Sequence, residues 1–154
     1  MELKTKVDAE EGRQDLFITR EFELPLELVF RAYTEPELLE QWMGTTVEKL
    51  ENKKGGCYHF VTTDPKGNKY VFRGAIHDFV MDTKIVRTFE MENASLGVQL
   101  EVIQFERLTD DSCKLTMHTI FESNALRDLQ LQMPFKQGVN MAHKRMEEIL
   151  IKLK

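Results

Sequence analysis

From Gln14 to Leu24 apolar and polar residues alternate, with Leu16, Ile18, Phe22 and Leu24 set against Glu21 and Glu23. Period two over this length predicts a half-buried strand, although Arg20 interrupts the apolar face. Pro25 ends it, and a proline is tolerated in the first turn of a helix because the donor it lacks has no partner there anyway. Leu28, Val29, Ala32 and Tyr33 then fall at helical spacing. Pro36 opens a second short helix, in which Leu38, Leu39, Trp42 and Met43 share a stripe. Gly44 suits the left-handed position beyond a helix end.

After Gly44 the period returns to two. Six strand-like runs follow, at residues 47–51, 57–63, 69–80, 84–92, 98–108 and 114–121. Short turn signals separate them, among them Lys54-Gly55-Gly56 and Asp64-Pro65-Lys66-Gly67-Asn68. Connections this short predict antiparallel neighbours. Gly74, inside the third run, marks a bend or bulge. Residues 124–154 return to helical spacing. Val139, Ala142, Met146, Ile149, Leu150 and Leu153 form one stripe, and Pro134 with Gly138 is expected to divide a short lead-in helix from a long terminal one. The predicted fold is α+β: a curved seven-stranded antiparallel sheet wrapped around a long C-terminal helix, with the two short helices plugging the end opposite it. One domain covers 1–154, with its core at about 14–153 and an N-terminal extension at 1–13.

Composition narrows the class. The 154 residues suffice for one core. The net charge of −5, from 26 acidic and 21 basic residues, argues against nucleic acid as a partner, because phosphate binding needs clustered positive charge. The opening residues hold no apolar run of the kind that directs secretion, and no stretch reaches the length of a membrane span, so a cytoplasmic protein is expected. Cys57 and Cys113 have no CxxC partner and sit in strand-like runs as inert thiols.

The arrangement and the residues together resemble a known family. The segment ITREFELPLELVFRAYTEPELLEQWMG combines a strand ending in Pro25 with Ala32, Thr34, Glu35, Pro36, Glu37, Trp42 and Gly44. With Gly55–Phe60, Phe72–Val80 and Glu106–Phe121, it is similar to the activator-of-heat-shock-protein-ATPase-like family of the START/Bet v 1-like (SRPBCC) superfamily. The resemblance runs from about Thr5 to Leu153 and implies a helix-grip fold around a cavity. Met43 stands where relatives often have a second aromatic, and Gly138-Val139 where they often have Gly-Trp. The resemblance does not imply co-chaperone activity, which in eukaryotic relatives depends on a separate domain.

Within this frame the 8 methionines and 10 phenylalanines matter, since flexible thioethers and aromatics suit a cavity that adapts to an apolar ligand. Alternation and helical spacing select Trp42, Tyr58, Phe60 and Phe72 as lining candidates. Phe89, Met91 and Met117 follow on later strands, and Met133, Phe135 and Met141 near the terminal helix. Tyr58, Arg87, Gln104 and His77 are the polar groups available to orient a ligand. His59, His118 and His143 form no metal-binding spacing with His77 or each other, so neither metal nor cofactor is expected. No GxSxG, phosphate loop or dinucleotide fingerprint occurs. A protein that binds a hydrophobic small molecule or lipid-like ligand therefore stands ahead of the alternatives. These are a cyclase, dehydratase or hydrolase acting on an aromatic or polyketide-like substrate, with His77 or Asp78 as acid or base, and a protein-interaction module, either a homodimer or a chaperone-associated partner.

Overall fold

A computed structural model describes residues 4–154. The order is β1 (Lys6–Asp8), β2 (Asp15–Phe22), α1 (Leu26–Thr34), α2 (Pro36–Met43), β3 (Thr46–Leu50), β4 (Cys57–Thr63), β5 (Lys69–Val80), β6 (Lys84–Met91), β7 (Val98–Thr109), β8 (Ser112–Ile120), α3 (Asn124–Leu131) and α4 (Phe135–Leu150). One antiparallel sheet runs β1-β2-β8-β7-β6-β5-β4-β3. This is the expected helix-grip arrangement with one strand more, because Lys6–Asp8 of the expected extension pairs with Phe17–Thr19. Residues 1–3 of that extension lie outside the described residues. Gly138 does not divide the last helices. It sits inside α4, and Pro134 alone marks the break.

The local reasons are simple. Pro36 occupies the first turn of α2 and Gly44 closes it at φ 64°. Ser123 caps α3 by accepting a hydrogen bond from the backbone N–H of Leu126. Register shifts at Val47/Lys49, Ile76/Asp78 and Arg107/Thr109 bend the strands that carry them. The helices α1 and α2 close one end of the curved sheet, but not opposite α4: α2 packs directly on it, and Arg145 donates to the Trp42 carbonyl at 3.1 Å.

Gly74 controls the sheet interior more than a generic bend would. A Cβ there would lie 1.9 Å from the Thr88 carbonyl oxygen and 2.7 Å from the Tyr58 hydroxyl. Its absence lets Tyr58, the cross-strand partner of Gly74, lie over β5 and donate to the Thr88 carbonyl at 2.5 Å. The β5–β6 ladder opens there, and the Ala75 N–H turns to the Thr88 side-chain hydroxyl. Gly74→Ala should therefore force backbone apart and destabilise the protein by roughly 2 kcal/mol or more. Tyr58→Phe, which removes only the hydroxyl, should cost about 1 kcal/mol. Both are read from urea midpoints.

The apolar interior falls into two clusters. The larger joins α1 and α2 to the inner face of the sheet and reaches Met146 and Leu150 of α4. The smaller is built on Leu16, Ile18 and Phe121, with Leu131, Phe135 and Val139 against it. Met117 packs on both clusters. Between them, under the N-terminal half of α4, the core does not close.

Candidate functional site

The gap is a chamber of about 190 Å³ between the sheet and α4. Its apolar wall is Ile18, Leu115 and Met117 from the sheet, Trp42 and Met43 from α2, and Phe135, Val139 and Ala142 from α4. Trp42 is held there as a packing residue. Its indole N–H donates to the Ala32 carbonyl at 2.7 Å, and Tyr33 packs 5.2 Å from its ring.

Polar side chains break the apolar wall. Arg87 of β6 and Glu101 of β7 are direct cross-strand partners, both pointing inward. Arg87 Nε donates to Glu101 Oε1 at 2.8 Å, and the two side chains are only 7% and 9% exposed. The guanidinium also lies 4.9 Å from the centre of the Tyr58 ring. Burial opposes the charge on Arg87, but the fields of Tyr58 and Glu101 and the hydrogen bond to Glu101 outweigh it and raise its pKa further. Burial raises the Tyr33 and Tyr58 hydroxyls as well, so both stay protonated donors.

The chamber has a neighbour. A groove of about 400 Å³ shares Phe89, Gln99, Gln130 and Phe135 with it and continues past Phe72, Met91 and Met133. At this shared boundary Gln99 of β7 donates to Gln130 of α3 at 2.7 Å, tying the sheet to the helix.

The expected lining residues separate accordingly. Trp42, Phe89, Met117 and Phe135 line the chamber, and Phe72, Met91 and Met133 line the groove. Tyr58 and Phe60 are core, with Tyr58 supporting Arg87 from β4. Three residues lie elsewhere. His77 is exposed because the bulge at Ile76/Asp78 lets Ile76 and Phe79 both turn inward and leaves the histidine outside. Asp78, its companion as a suspected acid or base, is tied to Lys84 at 3.0 Å and Lys54 at 3.6 Å, away from the chamber. Gln104 is exposed because β7 turns Gln99, Glu101, Ile103 and Phe105 inward. Met141 lies on the solvent side of α4 and is 57% exposed.

Glu101, Gln99, Thr119 and His143 were not anticipated. On β7 the misleading signal was Leu100 and Val102, whose apolar character argues for the opposite parity. His143 lies in the α4 stripe between Val139 and Met146, so helical spacing alone could have placed it inward.

His143 belongs to a second buried network. Arg20 reaches into the sheet interior and gives Nη1 to the Thr5 hydroxyl at 3.0 Å and to Asn140 at 3.1 Å, and Nη2 to Glu147 at 2.8 Å. The Thr5 oxygen, already accepting from Arg20, shares a 2.8 Å hydrogen bond with His143 Nδ1. Burial, then the Arg20 charge, pull the His143 pKa down to about 3, so it is neutral at pH 7. No group of three or more His, Cys, Asp or Glu side chains among the described residues converges to hold a metal. No helix among them is long and apolar enough to cross a membrane.

Because the folded pKa of His143 lies below that of the unfolded chain, the unfolded state takes up the proton first as pH falls. Its contribution to stability is complete above about pH 6.5 and is lost between pH 6.5 and about pH 3. Moving from pH 7 to pH 5 should cost about 2 kcal/mol from this group alone. Urea titrations at the two pH values should show a clearly smaller difference for His143→Gln than for the native protein.

The sequence from residue 23 to 151 matches the family described as "Activator of Hsp90 ATPase homolog 1-like protein". No curated protein matches the chain. Solved structures share its fold. A protein from Arthrobacter aurescens superposes with a TM-score of 0.86 at 21% identity, over 96% of this chain and 91% of that one. Protein Ms6760 from Mycobacterium smegmatis gives 0.84 at 24% identity, over 95% and 96%. A protein from Rhodobacter sphaeroides gives 0.85 at 19% identity, over 97% and 99%.

Proposed function

The chain belongs to the Activator of Hsp90 ATPase homolog 1-like family, and from that membership together with the unfilled chamber we propose that it binds a hydrophobic small molecule between its sheet and α4. The chamber carries the reading. Protein interiors pack densely and rarely leave voids larger than a water molecule, so 190 Å³ of largely apolar space is a departure that a ligand explains.

Volume sets the class. Pockets for drug-sized ligands span roughly 300–1,000 Å³. The chamber alone takes one or two rings, and anything longer continues into the groove beside Met91 and Met133. To pass between the two, a ligand parts Gln99 from Gln130, whose bond crosses the boundary. A two-ring ligand burying roughly 250 Å² of apolar surface gains about 6 kcal/mol before association costs, so its dissociation constant is no tighter than about 40 µM.

Naphthalene is a suitable first probe, and Trp42, the only tryptophan, reports from the chamber wall. A saturable change in Trp42 fluorescence is expected. Ala142→Phe, which places a ring in the chamber, should weaken binding by about tenfold or more, with the circular dichroism spectrum retained. A linear, unsaturable response in the native protein counts against the proposal. Gln130→Ala should speed association in stopped-flow traces by removing the bond across the boundary, and an unchanged rate would mean that ligands reach the chamber another way.

A further inference from the structure

We propose that the Arg87–Glu101 pair makes the chamber selective for uncharged ligands bearing a hydroxyl group, phenols above all, with the hydroxyl bridging the two side chains; this rests on the chamber being a ligand site.

The first ground is what the pair leaves unused. Arg87 spends Nε on Glu101 Oε1, and among the described residues its two Nη groups and Glu101 Oε2 make no hydrogen bond to protein. Among these residues, Arg20 Nε is the one sealed side-chain nitrogen or oxygen without a partner. The Nη groups and Oε2 are therefore not sealed. They keep accessible surface, and both residues line the chamber. Side chains more than nine-tenths buried thus hold donors and an acceptor open to an internal space.

The second ground is charge. Of the residues lining the chamber, Arg87 and Glu101 are the ones that carry formal charge at neutral pH, and they cancel. His143, on the same wall, is held neutral by burial. Tyr33, Gln99, Thr119 and Gln130 are uncharged. A carboxylate placed beside Arg87 would leave the buried site with net negative charge next to Glu101. An ammonium placed beside Glu101 would do the converse next to Arg87. Either costs desolvation without a free counter-charge.

A phenol meets the geometry with one oxygen, accepting from an Arg87 Nη and donating to Glu101 Oε2. Its ring then lies against the aromatic and aliphatic wall. The bridge forms no covalent bond and moves no proton. The hydroxyl stays neutral because an ionised phenol would meet the same repulsion from Glu101.

The test is calorimetry at pH 7 with naphthalene, 2-naphthol and 2-naphthoate, which share a ring system and differ in the polar group. The native protein should bind 2-naphthol about tenfold more tightly than naphthalene, and 2-naphthoate about tenfold more weakly than 2-naphthol. In Arg87→Met/Glu101→Leu, which removes both charges together, the naphthol preference should fall to about twofold or less while naphthalene is still bound. A second variant, Glu101→Gln, keeps the shape and leaves the Arg87 charge uncompensated, so 2-naphthoate should overtake 2-naphthol. Equal affinity for naphthalene and 2-naphthol in the native protein, or 2-naphthoate as its tightest ligand, would overturn the selectivity and leave hydrophobic binding standing. A naphthol preference that survives the double substitution would overturn it too. Failure of all three compounds to bind would overturn both.

Discussion

The ion pair between Arg87 and Glu101 constrains most of what surrounds it. Two charges removed from water must hold each other and must be supported on every side, because a buried charge without partners is costly. The cross-strand register of β6 and β7 sets the residues opposite one another. Tyr58 lies under the guanidinium, and it reaches that position because Gly74 leaves its ring a path across β5. The Tyr58 hydroxyl in turn bonds the Thr88 carbonyl, next in sequence to Arg87. A glycine, a tyrosine and a break in the strand ladder thus act as one support for a charged pair, and the pair keeps apolar side chains from filling the space above it.

The other end of the chamber is governed by a different buried arginine. Arg20 joins β2 to α4 through Asn140 and Glu147, and to the N-terminal segment through Thr5. Thr5 also bonds Asn140 and His143, so the segment preceding β1 is fastened to α4 and not only to the sheet edge. The chamber roof is therefore held by a network that includes a neutral histidine. Its strength depends on pH for the same reason that the imidazole can sit in an apolar wall at all.

Much of the fold was legible in the sequence, because periodicity changes from two to 3.6 and back at Pro25, Gly44 and residue 124, and the punctuating residues have clear conformational roles. What was hidden had physical causes. Lys6–Asp8 is too short to show a period and becomes a strand only by pairing with β2. Arg20 looked like an interruption of an apolar face but belongs to the inner face, where partners distant in sequence satisfy it. His77 was displaced by one bulge, and Gln104 by a strand whose apolar residues lie on both faces. Trp42, Phe89, Met117 and Phe135 were accessible to pattern because they are apolar on apolar faces. Glu101 and Gln99 were not, since nothing local distinguishes an inward acid from an outward one until the neighbouring strand supplies its arginine.

Three buried arginines let structural and ligand-facing roles be told apart by how their donors are used. Arg127 gives Nη1 to the carbonyls of Glu10 and Asp15, and Nε and Nη2 to its helix neighbour Asp128, so every arm of its fork is spent on protein. Arg20 spends both Nη groups on protein and seals its Nε away. Arg87 does the reverse: the inner nitrogen is fixed to Glu101, and the fork end opens on the chamber. If its role were to hold strands together, the free Nη groups would be a cost without return, since the β6–β7 ladder is already complete at that register. A fork held by its base and open at its tip is instead how a charged side chain is arranged to meet a group that arrives later.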